Sequence, residues 1–161
     1  MAVSILKRIR IKWHYYFCYP ILHKCKCRLE GIPEIHCPER LRLGTNVTIN
    51  DNVFLQCHGG ITVGNNVTIS RGVQCLTYSL STDNYYKNKL EGKEMHIHKP
   101  IKIGNGVWLC ANVIVTMGVS IAPYSVIGAG SVVTKSLDIP NALYGGIPAR
   151  FIKYLDNQDR H

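Results

Sequence analysis

Two histidines separated by one residue, His96 and His98 in the stretch EMHIHKP, are the side chains of this sequence best suited to moving a proton near neutral pH. An imidazole acting as general base takes the proton of an attacking group and commonly has a carboxylate to orient it. Asp83, in the stretch STDNYY of the same polar segment, is the first candidate for that partner and Glu94 the second. Tyr78, Tyr85 and Tyr86 accompany them and could form a platform for a sugar ring, although aromatic loop residues also pack at subunit seams. The plainer alternative is that both histidines are solvated loop residues.

Other reactive side chains form no comparable set. Seven cysteines (Cys18, Cys25, Cys27, Cys37, Cys57, Cys75, Cys110) are an odd number for a disulfide framework and read as free thiols. Cys25 and Cys27 stand closer than the paired cysteines of zinc sites, which also add a second pair, so no metal is expected.

These residues need a scaffold, and the sequence from Leu43 onward repeats every six residues with an aliphatic residue leading each unit. The later block is led by Ile103, Leu109, Val115, Ile121, Ile127 and Val133. The earlier block is led by Leu43, Ile49, Leu55, Val63, Ile69 and Cys75, with Ile61 and Thr62 added before Val63. A second small or β-branched residue follows four places after most leads, as at Val47, Val53, Val67, Val73, Val107, Val113 and Val119. A helix would repeat at three and four, and a hairpin sandwich would alternate over longer runs. Gly44, Asn46, Asn52, Gly64, Asn65, Asn66, Gly104, Asn105 and Gly106 supply corners. Three hexads make one triangular coil, so the expected body is an all-β prism of parallel strands. Ile97, six before Ile103, falls in the lead register, which points His96 and His98 outward.

At 161 residues and 46% hydrophobic content, the chain suits one domain. Its expected parts are a capping segment over 1–42, the prism over 43–136 interrupted by a loop at 78–99, and a tail over 137–161, where Pro140 and Pro148 end the repeat. No run reaches the roughly 18–20 apolar residues of a membrane span, and no signal-peptide pattern opens the chain, so a cytoplasmic location is expected.

The net charge of +9 is concentrated at the front, where residues 1–42 hold nine Lys/Arg against three Asp/Glu. Ile5, Ile9, Trp13 and Phe17 recur at steps of four with Lys7, Arg8, Arg10 and Lys12 between them, as on a short amphipathic helix that Pro20 ends. Such a helix either caps the first coil or rests peripherally on the inner face of a membrane. No nucleic-acid-binding fingerprint accompanies the charge, so nucleic acid is not an expected partner.

The repeat, with the runs PIKIGNGVW (100–108), VIGAGSVVTK (126–135) and GGIPARFIK (145–153) in that order, resembles the hexapeptide-repeat acyltransferases. The resemblance covers about residues 41–155 and is to the branch holding maltose, galactoside and nodulation-factor O-acetyltransferases and polysaccharide-modifying relatives. It implies a left-handed coil, a homotrimer with active sites between subunits, and acetyl-CoA as cosubstrate with a sugar or glycan acceptor. Matched residue by residue, it sets Trp108 and Ala111 beside the thioester, Ala129, Ser131, Thr134 and Lys135 along the pantetheine arm and adenine, and Arg150 and Lys153 near the phosphates.

The same resemblance places the base three residues after a threonine, and there this chain has Thr77 followed by Leu80. A variant branch carries its histidine four residues before the proline of the PI-x-IG run, which is His96 before Pro100. His96, His98 or neither therefore stays open as the base. The expected function is transfer of an acetyl group to a sugar hydroxyl. The alternatives are a non-catalytic β-helical scaffold or sugar-binding subunit, suggested by Leu80, and N-acetylation of an amino sugar.

Overall fold

The computed structural model of the chain describes residues 2–155. Short parallel strands stack into three flat faces around a common core. The first face holds Arg28–Leu29, Thr48–Ile49, Thr68–Ile69, Trp108–Leu109, Val126–Ile127 and Ala142–Gly145 in that order. The second holds Glu34–His36, Phe54–Gln56, Gln74–Leu76, Ile114–Thr116 and Val132–Val133. The third holds Leu41–Leu43, Ile61–Val63, Ile101–Ile103 and Ser120–Ile121, and Leu137 bridges onto Ile121 beyond them. The body is a parallel β-helix.

The hexad leads form its core: Ile49, Leu55, Ile69, Cys75, Leu109, Val115, Ile127 and Val133 are fully buried, as are most of the valines four places on. Val107 and Leu109 both point inward because they stand two apart on extended backbone with Trp108 directed outward between them, and the lead and the residue four places on give each hexad two inward side chains. The turns rely on left-handed backbone at Asn46, Asn52, Asn66 and Gly106. At Gly106 a Cβ would lie 2.4 Å from the Tyr124 ring, so both torsion and space require glycine. Asn65 and Asn105 have ordinary torsions and serve otherwise: their side-chain oxygens accept the Thr45 and Asn65 backbone N–H groups at 2.8 Å, tying coil to coil.

Two features lie beyond the repeat counted from Leu43. Parallel pairing begins at Arg28, so the first coil is built from residues ahead of the repeat, with Arg28 stacked on Thr48 and Glu34 on Phe54. At the other end, Ala142–Gly145 extends the first face in parallel on Val126–Ile127, and Arg150–Tyr154 then folds back antiparallel on it.

The amphipathic segment forms helix α1, Ala2–Trp13, followed by a π-helical turn, His14–Cys18, and a short helix α2, Pro20–Lys24. The cap is α2: Leu22 is fully buried, and the Cys25 thiol donates to the Leu43 carbonyl at 3.3 Å. Helix α1 does not lie on the coil with its apolar side, since Ile9, Trp13 and Phe17 are all exposed. The side chain of Ile5 lies outside the described residues. All seven cysteines are free; burial pushes Cys27, Cys57 and Cys75 up to about 12.

Candidate functional site

The corner between the second and third faces is short at residues 57–60 and again at 117–119, but between these it opens into the excursion between Leu76 and Ile101. Thr77 anchors this excursion. Fully buried, its hydroxyl donates to the Gln56 carbonyl and accepts the Gly59 N–H at 2.8 Å, and its carbonyl accepts the Lys99 N–H at 3.1 Å. A Cβ on Gly59 would come within 2.8 Å of the Lys99 carbonyl oxygen and 2.9 Å of that of Thr77, so glycine lets the two ends of the loop close over the coil below.

Inside the excursion, Tyr78–Leu80 and His96–His98 form an antiparallel two-stranded ribbon, with helix α3, Tyr85–Leu90, between them. The register pairs Tyr78 with His98, Ser79 with Ile97 and Leu80 with His96. Directly opposed residues share a face and alternate residues return to it, so Tyr78, Leu80, His96 and His98 project from one side of the ribbon. Ile97 is therefore not a core lead of the prism: it sits half-buried on the other side of the ribbon. The histidines do point outward, but because of this hairpin rather than the hexad register.

The Tyr78 ring stacks between imidazoles. It lies 4.8 Å from His96 at an interplanar angle of 13°, 6.0 Å from His98, and 5.0 Å from His58 on its other flank. His58 stands one coil below, and its Nδ1 is buried with no hydrogen-bond partner among the described residues, so its ring is placed by stacking. Tyr78 is thus spent on holding His96, which leaves less of it for the sugar platform expected of it. Tyr85 lies on α3, about half exposed, with the Lys89 ammonium 5.8 Å from its ring centre.

The carboxylate beside His96 is Glu94, whose Oε2 is 3.8 Å from His96 Nε2. Its other oxygen accepts from Lys89 Nζ at 2.7 Å, and that hydrogen bond holds the Glu94 carboxyl below its ordinary range. Asp83 lies in the turn before α3 with its N–H bonded to Ser81 Oγ, and among the described residues no ion pair joins it to either histidine.

The residues expected to hold the cosubstrate fall into two groups. Ala111 and Ala129 lie in successive turns between the first and second faces; Ala129 is exposed, Ala111 half-buried, and neither side chain is large enough to cover the backbone. Ala111 belongs to an open groove that also includes Arg71, Gly72 and Gln74, and Arg71 is a cation the sequence did not single out. Trp108, 48% exposed on the first face, leans toward the same corner and donates from Nε1 to Ser70 Oγ at 2.9 Å. Arg150 and Lys153 are exposed on the final strand. Thr134 and Lys135, also exposed, lie instead past the second face, on the corner that carries the histidine ribbon two coils earlier. Ser131 is buried; its hydroxyl donates to the Gly128 carbonyl at 2.6 Å and accepts the Gly146 N–H at 3.1 Å, so its side chain pins the tail to the prism.

Among the described residues no three His, Cys, Asp or Glu side chains converge as a metal site would require. His58, Glu94 and Ser70 were the partners that sequence reasoning missed or ranked second. One signal was available: His58 precedes Tyr78 by twenty residues, the step by which Thr48 stacks on Thr68.

A family model described as bacterial transferase hexapeptide (six repeats) matches residues 100–135. The hexapeptide-repeat acetyltransferase of Vibrio cholerae O1 biovar eltor, in its complex with acetyl coenzyme A, is similar with a TM-score of 0.73 at 33% identity, over 82% of this chain and 69% of that one. A maltose O-acetyltransferase from Clostridium difficile 630 gives a TM-score of 0.73 at 31% identity, over 81% of this chain and 67% of that one. Galactoside O-acetyltransferase of Escherichia coli K12 is 36% identical over 121 residues, which are 75% of this chain and 57% of that protein, so the chain spans little more than half the length of that curated relative. On its stacked coils and on these matches, the chain belongs to the hexapeptide-repeat acetyltransferases.

Proposed function

We propose that this protein is an acetyl-CoA-dependent O-acetyltransferase that acts as a homotrimer on a hydroxyl of a sugar or surface-glycan precursor, with His96 as its general base. The observation that carries the reading is the pairing of His96 with Leu80: the imidazole missing from one strand of the ribbon is present on the other strand, at the same height and on the same side. A scaffold that had lost catalysis would have no reason to keep it there, stacked on Tyr78 and beside a carboxylate.

Acetyl-CoA would supply the acetyl group as a thioester. His96 would accept the proton of the acceptor hydroxyl as its oxygen forms the new ester bond, and return that proton to the thiolate that leaves. Glu94 would face the imidazolium formed between these steps, and its hydrogen bond from Lys89 would hold the carboxylate in place.

The split between two corners supports a site shared between subunits. His96 projects from the corner between the second and third faces, whereas Ala111, Ala129 and the side chain of Trp108 line the corner between the first and second. A whole face separates them within one chain, so a neighbour that sets its ribbon against the Ala111 corner completes the site.

Titration with acetyl-CoA in a calorimeter, alongside the oligomer mass, tests the reading. Saturable binding near one site per chain in a trimer supports it; a folded trimer that binds none would favour the scaffold.

A further inference from the structure

Residues 1–29 hold seven Lys/Arg and no Asp/Glu, the most one-sided stretch of charge in the chain. Within it α1 and the turn that follows carry Leu6, Ile9, Trp13 and Phe17 at steps of three, four and four, which on a helix is a single stripe. Those side chains are 64%, 58%, 55% and 72% exposed, and Tyr16 beside them is 52% exposed. The core at this end is closed by Leu22 of α2, so the prism does not use the stripe. Exposed apolar side chains scattered singly are ordinary, but four in line on a helix that bears Arg10 and Lys12 form an exposed amphipathic patch.

We propose that α1 docks in the headgroup region of an anionic lipid bilayer, lying in its plane with the Leu6–Ile9–Trp13–Phe17 stripe turned inward. Charge decides the occupant. A bilayer of anionic lipid offers a continuous negative surface to a segment with no acidic residue to repel it, and an apolar layer just beneath for the stripe. Trp13 and Tyr16 have the amphipathic rings that suit this depth. Among the described residues no helix is long and apolar enough to cross a membrane, so the contact is peripheral.

The geometry links this docking to the acceptor. α2 closes the first-coil end, opposite the Arg150–Tyr154 strand, and the histidine ribbon leaves the prism two second-face rungs above that end. At the spacing of stacked strands that is about 10 Å. Where α1 holds a bilayer against that end of the prism, the bilayer lies near the ribbon, which fits an acceptor carried on a lipid. A trimer with parallel prism axes would present three such helices in one plane and bind by avidity. The proposal goes beyond the acetyltransferase reading, and the docking itself stands without it.

The test is co-sedimentation of the full chain with vesicles of phosphatidylcholine alone and of phosphatidylcholine with phosphatidylglycerol. Docking predicts binding to the anionic vesicles only, weakened by salt, reduced roughly fivefold for each of Arg10→Gln and Lys12→Gln, and abolished in Trp13→Asp. Circular dichroism and thermal melting of each variant show that the prism is still folded. In Trp108→Phe, where Trp13 is the remaining tryptophan, anionic vesicles should shift the emission to the blue. No binding to anionic vesicles, equal binding to both compositions, or a Trp13→Asp variant that binds as wild type would overturn the proposal. So would loss of the oligomer in Trp13→Asp without any vesicle binding by the wild type, which would make the stripe a contact between copies of this chain. None of these readouts depends on acetyl transfer, so failure here leaves the catalytic reading untouched.

Discussion

His96 and Leu80 are paired directly across the antiparallel ribbon, their side chains on one face. The family resemblance places a histidine where Leu80 stands, so the two positions can exchange roles with little displacement. Moving the histidine back, as Leu80→His combined with His96→Leu, should restore at least part of the turnover lost in His96→Ala. If the exchanged variant folds and binds acetyl-CoA yet stays as inactive as His96→Ala, the two positions are not equivalent.

Tyr78 is expected to act as a positioning residue for His96. An aromatic stack of this kind is worth about 0.5–1.5 kcal/mol, so Tyr78→Ala should lower kcat up to roughly tenfold and alter its pH profile, with KM for acetyl-CoA unchanged. Tyr78→Phe retains the ring and should behave as wild type. Four other groups face or neighbour His96, namely Glu94, Lys89 through it, His98, and His58 beyond Tyr78, so His96 is best followed by NMR titration in both variants. Identical titration in wild type and Tyr78→Ala would leave the stack a purely structural role.

The split between two corners predicts complementation. His96→Ala removes the base from one corner, and Ala111→Arg fills the groove at the other. Each variant alone should be inactive, while co-expressed chains in mixed trimers should regain measurable turnover, because some sites receive both intact halves. Mixed trimers with no activity would place the whole site in one chain.

Burial of the cysteines sets a limit at high pH. Unfolded thiols ionise near 9, whereas Cys75 stays protonated to about 12, so the folded state holds more protons in that window and stability falls as pH rises through it. Cys75→Val, which keeps an apolar side chain at that core position, should flatten the decline in denaturation midpoint as pH rises above 9. An unchanged slope would show that other groups dominate.

The prism was legible because its rule is local: each hexad must send two side chains inward, and the valines and isoleucines that do so recur at fixed steps. The first coil at Arg28–Leu43 is harder to read: Leu29, Ile35 and Leu41 do recur at steps of six and pair with Ile49, Leu55 and Ile61, but Pro33 and Glu39 stand where the later hexads have valine. The site was half legible. His96 and His98 could be chosen by their chemistry, but their setting depends on a hairpin whose register with Tyr78–Leu80 spans a helix and two turns. The sequence ranks Asp83 before Glu94 as the orienting carboxylate, whereas the ribbon brings Glu94 within 3.8 Å of His96 and, among the described residues, no ion pair joins Asp83 to it. Ser131 looked like a cosubstrate contact by motif, yet the tail claims its hydroxyl.

The most direct test of the central claim is to incubate the purified protein with acetyl-CoA and a panel of galactosides, glucosides and amino sugars, and to identify acetylated product by mass spectrometry in wild type and His96→Ala. Ester formation on at least one acceptor, reduced roughly a hundred- to ten-thousand-fold in His96→Ala while acetyl-CoA affinity is unchanged, is the predicted result. Ester formation that is indifferent to His96→Ala would contradict it.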